Sequence, residues 1–283
     1  MKKIAIVTDT DSSLPEEVAQ KYDIRQVPIT IHFGDDSYIT GTDIDDRKVF
    51  EIVDRVGKIP TTAAPSPGAF AHTYEEAFAA GADALVCVCV SSQISATYSA
   101  AVSACEMFPG KHIRVIDSRD LSMGQGYQAL AAAEAAQAGA NLDEIAARVA
   151  DVRARLTTYA VLPTLKYLAL SGRVGKLAAG MAATLSIKPI LTVREGKLEL
   201  LERIRTQKIA NQRVLDLVQA AVGEKTIERY ALIHVNNLEG ARELKEKLGA
   251  TMPVPPDFMF AEFTPGLSVH AGAGVVGVVV QTG

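Results

Sequence analysis

The sequence predicts an α/β protein built from two α/β domains, the first with a mostly parallel sheet and the second with a mixed or antiparallel sheet and helices. Three observations lead to this prediction. Short apolar strands alternate with helices in the first half of the chain, and after about residue 155 hairpins appear among the helices. With 283 residues, the chain is long enough for two cores. We place the two domains at 1–157 and 158–283.

In the first half, residues 3–9 form an apolar run that predicts a buried strand. The helix that follows has Ser13 as a plausible N-cap and Pro15 in its first turn. Residues 24–33 then predict the second strand, as a single continuous element. The later predicted elements are helices over 42–57, 66–81, 94–108 and 123–139 and strands over 84–90 and 113–118. This alternation is typical of a parallel sheet covered by helices on both faces.

In the second half, residues 157–172 predict a strand that leads into a helix. Residues 188–206 predict a β-hairpin with Glu195, Gly196 and Lys197 in its turn. The next predicted elements are a helix over 211–223, a strand over 229–236 and a helix over 238–249. Residues 259–281 predict two strands around a glycine-rich turn, which completes a sheet of mixed direction.

Composition excludes several classes of function. Net charge is −4, and no run of lysine or arginine suggests nucleic-acid binding. The first apolar run is too short for a secretory signal, which needs roughly 7–15 apolar residues, and no stretch approaches the roughly 18 of a membrane span. We therefore expect a cytoplasmic protein. Without CxxC or HExxH spacing, we expect neither a metal nor a cofactor.

Four polar clusters follow strands or precede helices, at 9–13, 61–67, 91–95 and 117–122. Ligands of open α/β sheets bind outside the carboxyl ends of the strands. Such residues also cap helices, and for 9–13 and 117–122 capping is the favoured interpretation. For Thr62, in a proline-bounded loop, and for Ser95, which has five hydroxyl neighbours, capping and ligand contact both stay open.

Three further residues are candidates for binding an anion. His270 precedes Gly272 and Gly274, which allow a ligand or backbone to approach closely. Arg173 follows a glycine that ends a helix and can reach an anion from there, and Arg205 is a similar candidate. Neither GxSxG nor a phosphate-binding glycine loop follows the strands, so hydrolysis is the less favoured alternative.

Seven ordered segments, spread over nearly the whole chain, are similar to those of one family. The chain resembles the DegV family, the fatty-acid-binding proteins that act as the substrate-carrying subunit of bacterial fatty acid kinase. The segments are IVTDTDSSLP, IPTTAAPSPGAF, SSQISATYSAA, VIDSRDLSMGQG, LKYLALSGRVGK, SIKPIL with EGKLELLERIR, and SVHAGAG.

The resemblance implies where a lipid would bind. It implies that the lipid lies between the two domains and that Thr62, Ser95 and His270 hold its carboxylate. It also links Arg173 and Arg205 to the kinase partner or to the acyl phosphate. The chain departs from the family pattern at three places. Ala96 stands where the family has glycine, Ala63-Ala64 where it has Ser-Gln, and Ala273 where it has proline.

These observations predict a carrier that binds a long-chain free fatty acid and presents its carboxylate to an ATP-dependent kinase subunit. The carrier itself would not be an enzyme. The alternative is a serine-dependent hydrolase, or a small-substrate transferase, at the same hydroxyl cluster. Ser92, Thr97 and Ser118 are candidate head-group neighbours. Residues 177–187 and 258–263 are candidates for the tail pocket, and a transient contact with a membrane surface is left open.

Overall fold

The computed structural model describes residues 3–173 and 187–283. A 3-10 turn, Thr10–Ser12, follows the first strand. The strands are β1 (Ile4–Asp9), β2 (Ile24–Val27), β3 (Thr30–Phe33), β4 (Asp36–Ile39), β5 (Thr61–Ala63), β6 (Ala84–Cys89), β7 (His112–Asp117), β8 (Leu156–Val161), β9 (Lys188–Arg194), β10 (Lys197–Ile204), β11 (Ile227–His234), β12 (Met259–Glu262) and β13 (Val276–Thr282). The helices are α1 (Glu16–Lys21), α2 (Asp46–Val56), α3 (Pro67–Ala79), α4 (Thr97–Cys105), α5 (Met123–Gln137), α6 (Leu142–Ala154), α7 (Lys166–Ser171), α8 (Gln207–Val222), α9 (Leu238–Thr251) and α10 (Pro265–Ala271).

The first sheet is parallel and has the strand order β2-β1-β6-β7. Strand β6 is buried along its whole length, as its unbroken apolar run requires. Helices α3 and α4 pack on one face of this sheet, and α5 packs on the other. The carboxyl ends of β1, β6 and β7 therefore meet at one edge, where a ligand site is expected.

The second sheet has six strands in the order β10-β9-β8-β13-β11-β12. Its strands are antiparallel except for the parallel pair β11 and β12. Helices α8 and α9 cover its outer face, while its inner face shares a core with α5, α6 and the parallel sheet. The predicted α/β fold class, with a parallel and a mixed sheet, is confirmed. The boundary at 157/158 falls inside β8 and stays a prediction.

A third, small sheet was not predicted. Residues 24–33 form two strands instead of one, because Pro28 lacks the N–H that would continue the ladder. Strand β2 stays in the parallel sheet, whereas β3 pairs antiparallel with β4 and β5. The sheet β4-β3-β5 carries Thr62 at the centre of β5. The single-strand prediction is therefore wrong, and the correction explains how the loop that contains Thr62 is held.

The predicted N-cap Ser13 is also wrong. Ser13 ends the 3-10 turn with a φ of 49°, its N–H bonded to the Thr10 carbonyl. Helix α1 begins only at Glu16, after Pro15. The extra turn keeps the residues that follow β1 at the edge of the parallel sheet instead of starting a helix there.

Two elements of the second half of the chain differ from prediction. Residues 259–281 do contain two strands, but a short helix, α10, lies between them, and both strands pair with β11 instead of with each other. His270 is therefore on the last turn of a helix. Helix α6 was not predicted at all, although Asn141 and Glu144 form a complete capping box at its start.

The predicted hairpin is confirmed as β9 and β10, joined at Glu195 and Gly196. Its tip contacts the loops after β6 and β7. The Ser91 hydroxyl donates to the Gly196 carbonyl at 2.7 Å, and the Arg119 guanidinium lies 2.7 Å from the Glu195 carboxylate. A Cβ at Gly196 would lie 2.5 Å from the Ser91 oxygen, and φ there is +80°. Glycine is thus required for the hairpin to reach the first domain.

Across residues 3–173 and 187–283, no helix is both long and apolar enough to span a bilayer.

Candidate functional site

A cavity lies between the parallel sheet and the inner face of the six-stranded sheet. Together with its opening to solvent it has an empty volume of about 800 Å³. Most of the described residues that line it are apolar: Val90, Ile94, Leu121, Ala160, Leu162, Leu168, Leu191, Val193, Leu198, Ile233, Phe263, Leu267 and Ala271. The polar side chains among the lining residues are those of Asp11, Thr62, Ser95, Thr158, Arg173, Thr192 and His270.

Thr62 and His270 meet at this cavity although 208 positions separate them in the sequence. Their Oγ1 and Nε2 atoms lie 3.0 Å apart. Burial, and then the positive charge of Arg173, lower the pKa of His270 to about 4. The imidazole is therefore neutral at pH 7, with one nitrogen as donor and the other as acceptor. The contact fixes the Thr62 hydroxyl, so that it can present a donor to an anion in the cavity.

Ser95 reaches the same cavity from the loop that follows β6. Its hydroxyl lies 2.8 Å from that of Thr97, and it also accepts the Thr97 backbone N–H at 3.3 Å. The Thr97 side chain is fully buried, at the first position of α4. Ser95 thus takes part in starting the helix while it lines the cavity, so both interpretations of its hydroxyl keep support.

Arg173 supplies the positive charge at this end of the cavity. It follows Gly172, whose φ of 73° ends α7 as the sequence predicts. Its Nη1 donates to the Ser171 carbonyl at 2.7 Å. For His270 the guanidinium charge adds to burial in lowering the pKa, and for Asp11 it offsets a small part of a rise that burial and Asp9 cause. An anion bound here would therefore gain a cationic neighbour that is always charged.

Four predicted residues do not line the cavity, and Thr97, described above, is one of them. The Ser92 hydroxyl donates to the Asp117 carboxylate at 2.6 Å. Ser118 is fully buried, and its hydroxyl donates to the Asp120 carbonyl at 3.1 Å. Arg205 is exposed at the end of β10. Ser92 and Ser118 support the loop geometry, and the proposed role of Arg205 concerns a partner and not the cavity.

Sequence reasoning missed Asp11, which lines the cavity and is only 6% exposed. Burial, followed by the nearby charge of Asp9, raises the pKa of Asp11 well above its usual value. Asp9 is fully buried too, and burial raises its pKa to about 6. Its carboxylate accepts the Val90 N–H at 2.8 Å and the Gln125 side-chain amide at 3.0 Å, which fixes the ends of β1 and β6.

Two other buried carboxyl groups lie near the site. The Ser268 hydroxyl of α10 donates to Asp46 of α2 at 2.5 Å, which holds α10 in place two residues before His270. Burial raises the pKa of Asp46 to about 8 and that of Asp120 to about 7. Neither residue lines the cavity, so both belong to the framework around it.

The two tail-pocket candidates have different outcomes. Of residues 177–187, all but Ile187 lie outside the described residues. Within 258–263, Phe263 lines the cavity, whereas Phe258 stacks on Tyr230 with ring centroids 5.6 Å apart on the outer face of the sheet. Period-2 alternation along β12 explains the difference. In the part of the chain that the structure describes, no cluster of His, Cys, Asp and Glu could hold a metal ion.

Comparison with known proteins settles the family. A family model described as "Uncharacterised protein, DegV family" matches residues 3–283. The chain belongs to the DegV family. A DegV domain-containing protein of Mycobacterium bovis is 36% identical over 283 residues, and the alignment covers 99% of this chain and 98% of the relative. The resemblance inferred from seven segments is thus confirmed.

Two solved DegV structures share this fold over their whole length. One concerns fatty acid binding of a DegV family protein from Thermus thermophilus, with a TM-score of 0.91, 28% identity and 99% coverage of both chains. The other is DegV of Bacillus subtilis, described as a fatty acid binding protein, with a TM-score of 0.88, 28% identity and full coverage of both chains. The solved neighbours of this DegV chain are therefore fatty-acid-binding proteins.

Among the described residues, no histidine lies within hydrogen-bond distance of the Ser95 hydroxyl. The hydrogen bond that His270 makes to a hydroxyl goes to Thr62, and the side-chain partner of Ser95 is Thr97. A serine nucleophile needs a base within hydrogen-bond reach. The geometry thus favours binding of an anion over activation of Ser95.

Proposed function

We propose that this chain binds a long-chain free fatty acid in the cavity between its sheets and presents the carboxylate to a partner kinase for ATP-dependent phosphorylation. The observation that carries the proposal is the mixed lining of the cavity. The hydroxyls of Thr62 and Ser95, the imidazole of His270 and the charge of Arg173 line it together with a majority of apolar side chains. The fatty acid binding described for the Thermus and Bacillus proteins supports the same ligand class.

The polar part of the lining suits a carboxylate for a physical reason. Burial of an unpaired carboxylate is costly, so such a group needs several donors. The Ser95 hydroxyl provides one donor, and the hydrogen-bonded pair of Thr62 and neutral His270 provides one more, with the positive charge of Arg173 at the same cavity. Each hydrogen bond to a charged group contributes roughly 1.5–3 kcal/mol. We propose Thr62, Ser95 and His270 as the direct partners. Thr97 acts as a neighbour through its bond to Ser95.

The apolar part of the cavity suits the hydrocarbon tail. Burial of a methylene group contributes about 0.8 kcal/mol, so a tail of about fifteen methylenes gains on the order of 12 kcal/mol before entropy costs. The tail therefore dominates the affinity, while the head group sets the direction in which the fatty acid lies. This division leaves the carboxylate at the end of the cavity nearest Arg173.

The chain on its own is proposed to be a carrier without a catalytic role or cofactor. Transfer of a phosphoryl group requires ATP and groups that bind it, which we assign to the kinase partner. We propose that Arg173, at the cavity, and Arg205, exposed beyond β10, contact this partner or the acyl phosphate. The two proteins would meet in the cytoplasm, where ATP is available. During a brief contact, a membrane surface would supply lipid to the carrier or receive lipid from it.

Extraction of the purified protein with organic solvent, followed by mass spectrometry, tests the ligand class. We expect one long-chain fatty acid for each protein molecule. A protein that carries no lipid and hydrolyses esters, with the activity lost in Ser95→Ala, would instead establish the hydrolase. The extraction also identifies the length and unsaturation of the tail.

Replacement of Arg173 with alanine tests whether this residue contacts the kinase partner. We expect acyl phosphate formation with the kinase to fall more than tenfold and fatty-acid binding to fall by a smaller factor, because the hydroxyls and His270 still hold the carboxylate. Binding is measured by displacement of a fluorescent fatty acid, and turnover by ATP consumption. Arg203→Ala, at another exposed arginine of β10, is the control. Equal losses in both measurements would contradict partner docking by Arg173.

A further inference from the structure

The side chain of Asp11 is a carboxyl group in a site proposed for a carboxylate. It belongs to the 3-10 turn at the carboxyl end of β1 and lines the cavity together with Thr62 and His270. It is 94% buried, and its Oδ1 atom has no hydrogen-bond partner among the described residues. A buried polar atom without a partner is unusual, so this atom is free to bond to something that occupies the cavity.

The position of Gly266 shows how close Asp11 is to the head-group residues. A Cβ built on Gly266 would lie 2.2 Å from the Asp11 Oδ1 atom, so the carboxyl group lies directly against α10. Gly266 precedes His270 by four residues on that helix. Residues four apart lie on the same helix face, about 5–6 Å from each other. Asp11 and His270 therefore face the same end of the cavity, one helical turn apart.

The charges around Asp11 favour its neutral form. Burial is the largest cause, the like charge of Asp9 of β1 adds to it, and the positive charge of Arg173 after α7 acts against both, so that the pKa of Asp11 lies well above its usual value. From α10, the facing ionisable group is His270, which is neutral at pH 7. The first turn of α5, residues 123–126, packs against the 3-10 turn and contains no ionisable side chain. A neutral carboxyl group is a hydrogen-bond donor.

We propose, as an extension that rests on the proposed function, that neutral Asp11 donates a hydrogen bond to the bound fatty-acid carboxylate. Asp11 is then a fourth head-group residue, beside Thr62, Ser95 and His270. The complex holds one proton between two carboxyl groups, and no covalent bond is formed or broken. This arrangement also requires Gly266, because any larger residue there would displace the Asp11 carboxyl group.

This arrangement makes fatty-acid binding depend on pH. Once Asp11 ionises, its negative charge faces the ligand carboxylate and the donor is lost. Binding then requires the uptake of one proton, so affinity falls by up to tenfold per pH unit above the pKa of Asp11. A site built only from cations and hydroxyls would instead hold an anion equally well over the same pH range.

The substitution Asp11→Asn keeps a hydrogen-bond donor at this position and removes the group that ionises. An asparagine amide has the same shape as the neutral carboxyl group, donates a hydrogen bond and does not ionise. Affinity for palmitate is measured for the wild type and for Asp11→Asn between pH 6.5 and 9.5, by displacement of a fluorescent fatty acid. His270 is neutral throughout this range. The other buried acids near the site, Asp9, Asp46 and Asp120, are present in both proteins, so the difference between the two slopes reports Asp11.

We expect the affinity of the wild type to fall more steeply with rising pH than that of Asp11→Asn. Asp11→Ala, which lacks the donor, should bind about tenfold more weakly than Asp11→Asn at pH 6.5. A flat profile for the wild type, or the same slope in both proteins, overturns the role of Asp11 while the carrier function stands. A wild-type protein that binds no palmitate at any pH refutes the proposed function itself. The comparison of slopes holds even where the alanine variant does not fold.

Discussion

Replacement of Ala160 with phenylalanine is expected to abolish binding of fatty acids of about sixteen carbons or more. Ala160 lines the cavity from β8 and is 9% exposed, with Leu162 and Leu191 among its neighbours in the same core. A phenyl ring there occupies the space of several methylene groups, each of which contributes about 0.8 kcal/mol. Loss of four methylenes already weakens binding by about 200-fold. Affinity is measured against a series of fatty acids of increasing length.

The dependence on length distinguishes a blocked tail from a damaged protein. Short acids that end before Ala160 should bind to Ala160→Phe as they do to the wild type. Ala160→Val, at the same position, adds two methyl groups and should cause a smaller loss with the same dependence on length. Thermal melting of both variants checks the core. A uniform loss at every chain length, or no loss at all, would show that the tail does not pass β8.

Replacement of His270 with alanine is expected to weaken fatty-acid binding by roughly 10- to 100-fold, which corresponds to the ~1.5–3 kcal/mol of a hydrogen bond to a charged group. The imidazole lies 3.0 Å from the Thr62 hydroxyl, so its removal also releases Thr62. We expect little change in melting temperature, because α10 is still held by the bond between Ser268 and Asp46. Binding is measured by calorimetry with a fatty acid below its solubility limit.

His270→Gln is the matched control for this substitution. Glutamine places an amide near the Nε2 position and can keep the contact with Thr62, so it should recover part of the affinity. Thr62→Val combined with His270→Ala should lose less than the sum of the two single losses, because the two side chains act as a unit. Wild-type affinity in His270→Ala would refute the assignment of the head group.

The parts of the fold that could be predicted are those whose signal is local. The unbroken apolar run of β6 requires a buried strand, and the turn at Glu195 and Gly196 identifies the hairpin. The three-stranded sheet was missed because its evidence is a single residue, Pro28, which ends one strand and lets the next join a different sheet. Helix α10 is only seven residues long, too short for a clear helical period.

The same distinction applies to the site. Thr62, Ser95 and His270 could be named because each stands out locally, beside prolines, other hydroxyls or glycines. Asp11 could not, because DTDSS is equally suited to capping a helix. Only the packing of α10 against the 3-10 turn buries its carboxyl group next to Gly266. Burial of a polar side chain is decided by contacts between distant segments, which single-sequence patterns do not show.

The buried carboxyl groups around the site have a thermodynamic consequence for the whole molecule. Because burial raises the pKa of Asp46 to about 8, the native chain keeps a proton there that the denatured chain has already released above about pH 4. The stabilisation from this proton is complete in acid and disappears as the pH rises to 8. His270 and His234 have lowered pKa values and act in the opposite direction, but only below about pH 7.

Above pH 7 the buried carboxyl groups decide how the stability of the fold depends on pH. One such proton is worth about 1.4 kcal/mol per pH unit, so the melting temperature should decline by at least about 2 °C between pH 7 and pH 8. Asp46→Asn, which keeps the acceptor for Ser268, should decline less steeply. An unchanged slope in this variant would mean that Asp46 is already ionised in the native state. On this account the molecule is an alkali-sensitive protein, and mildly alkaline buffers loosen the fold that surrounds its cavity.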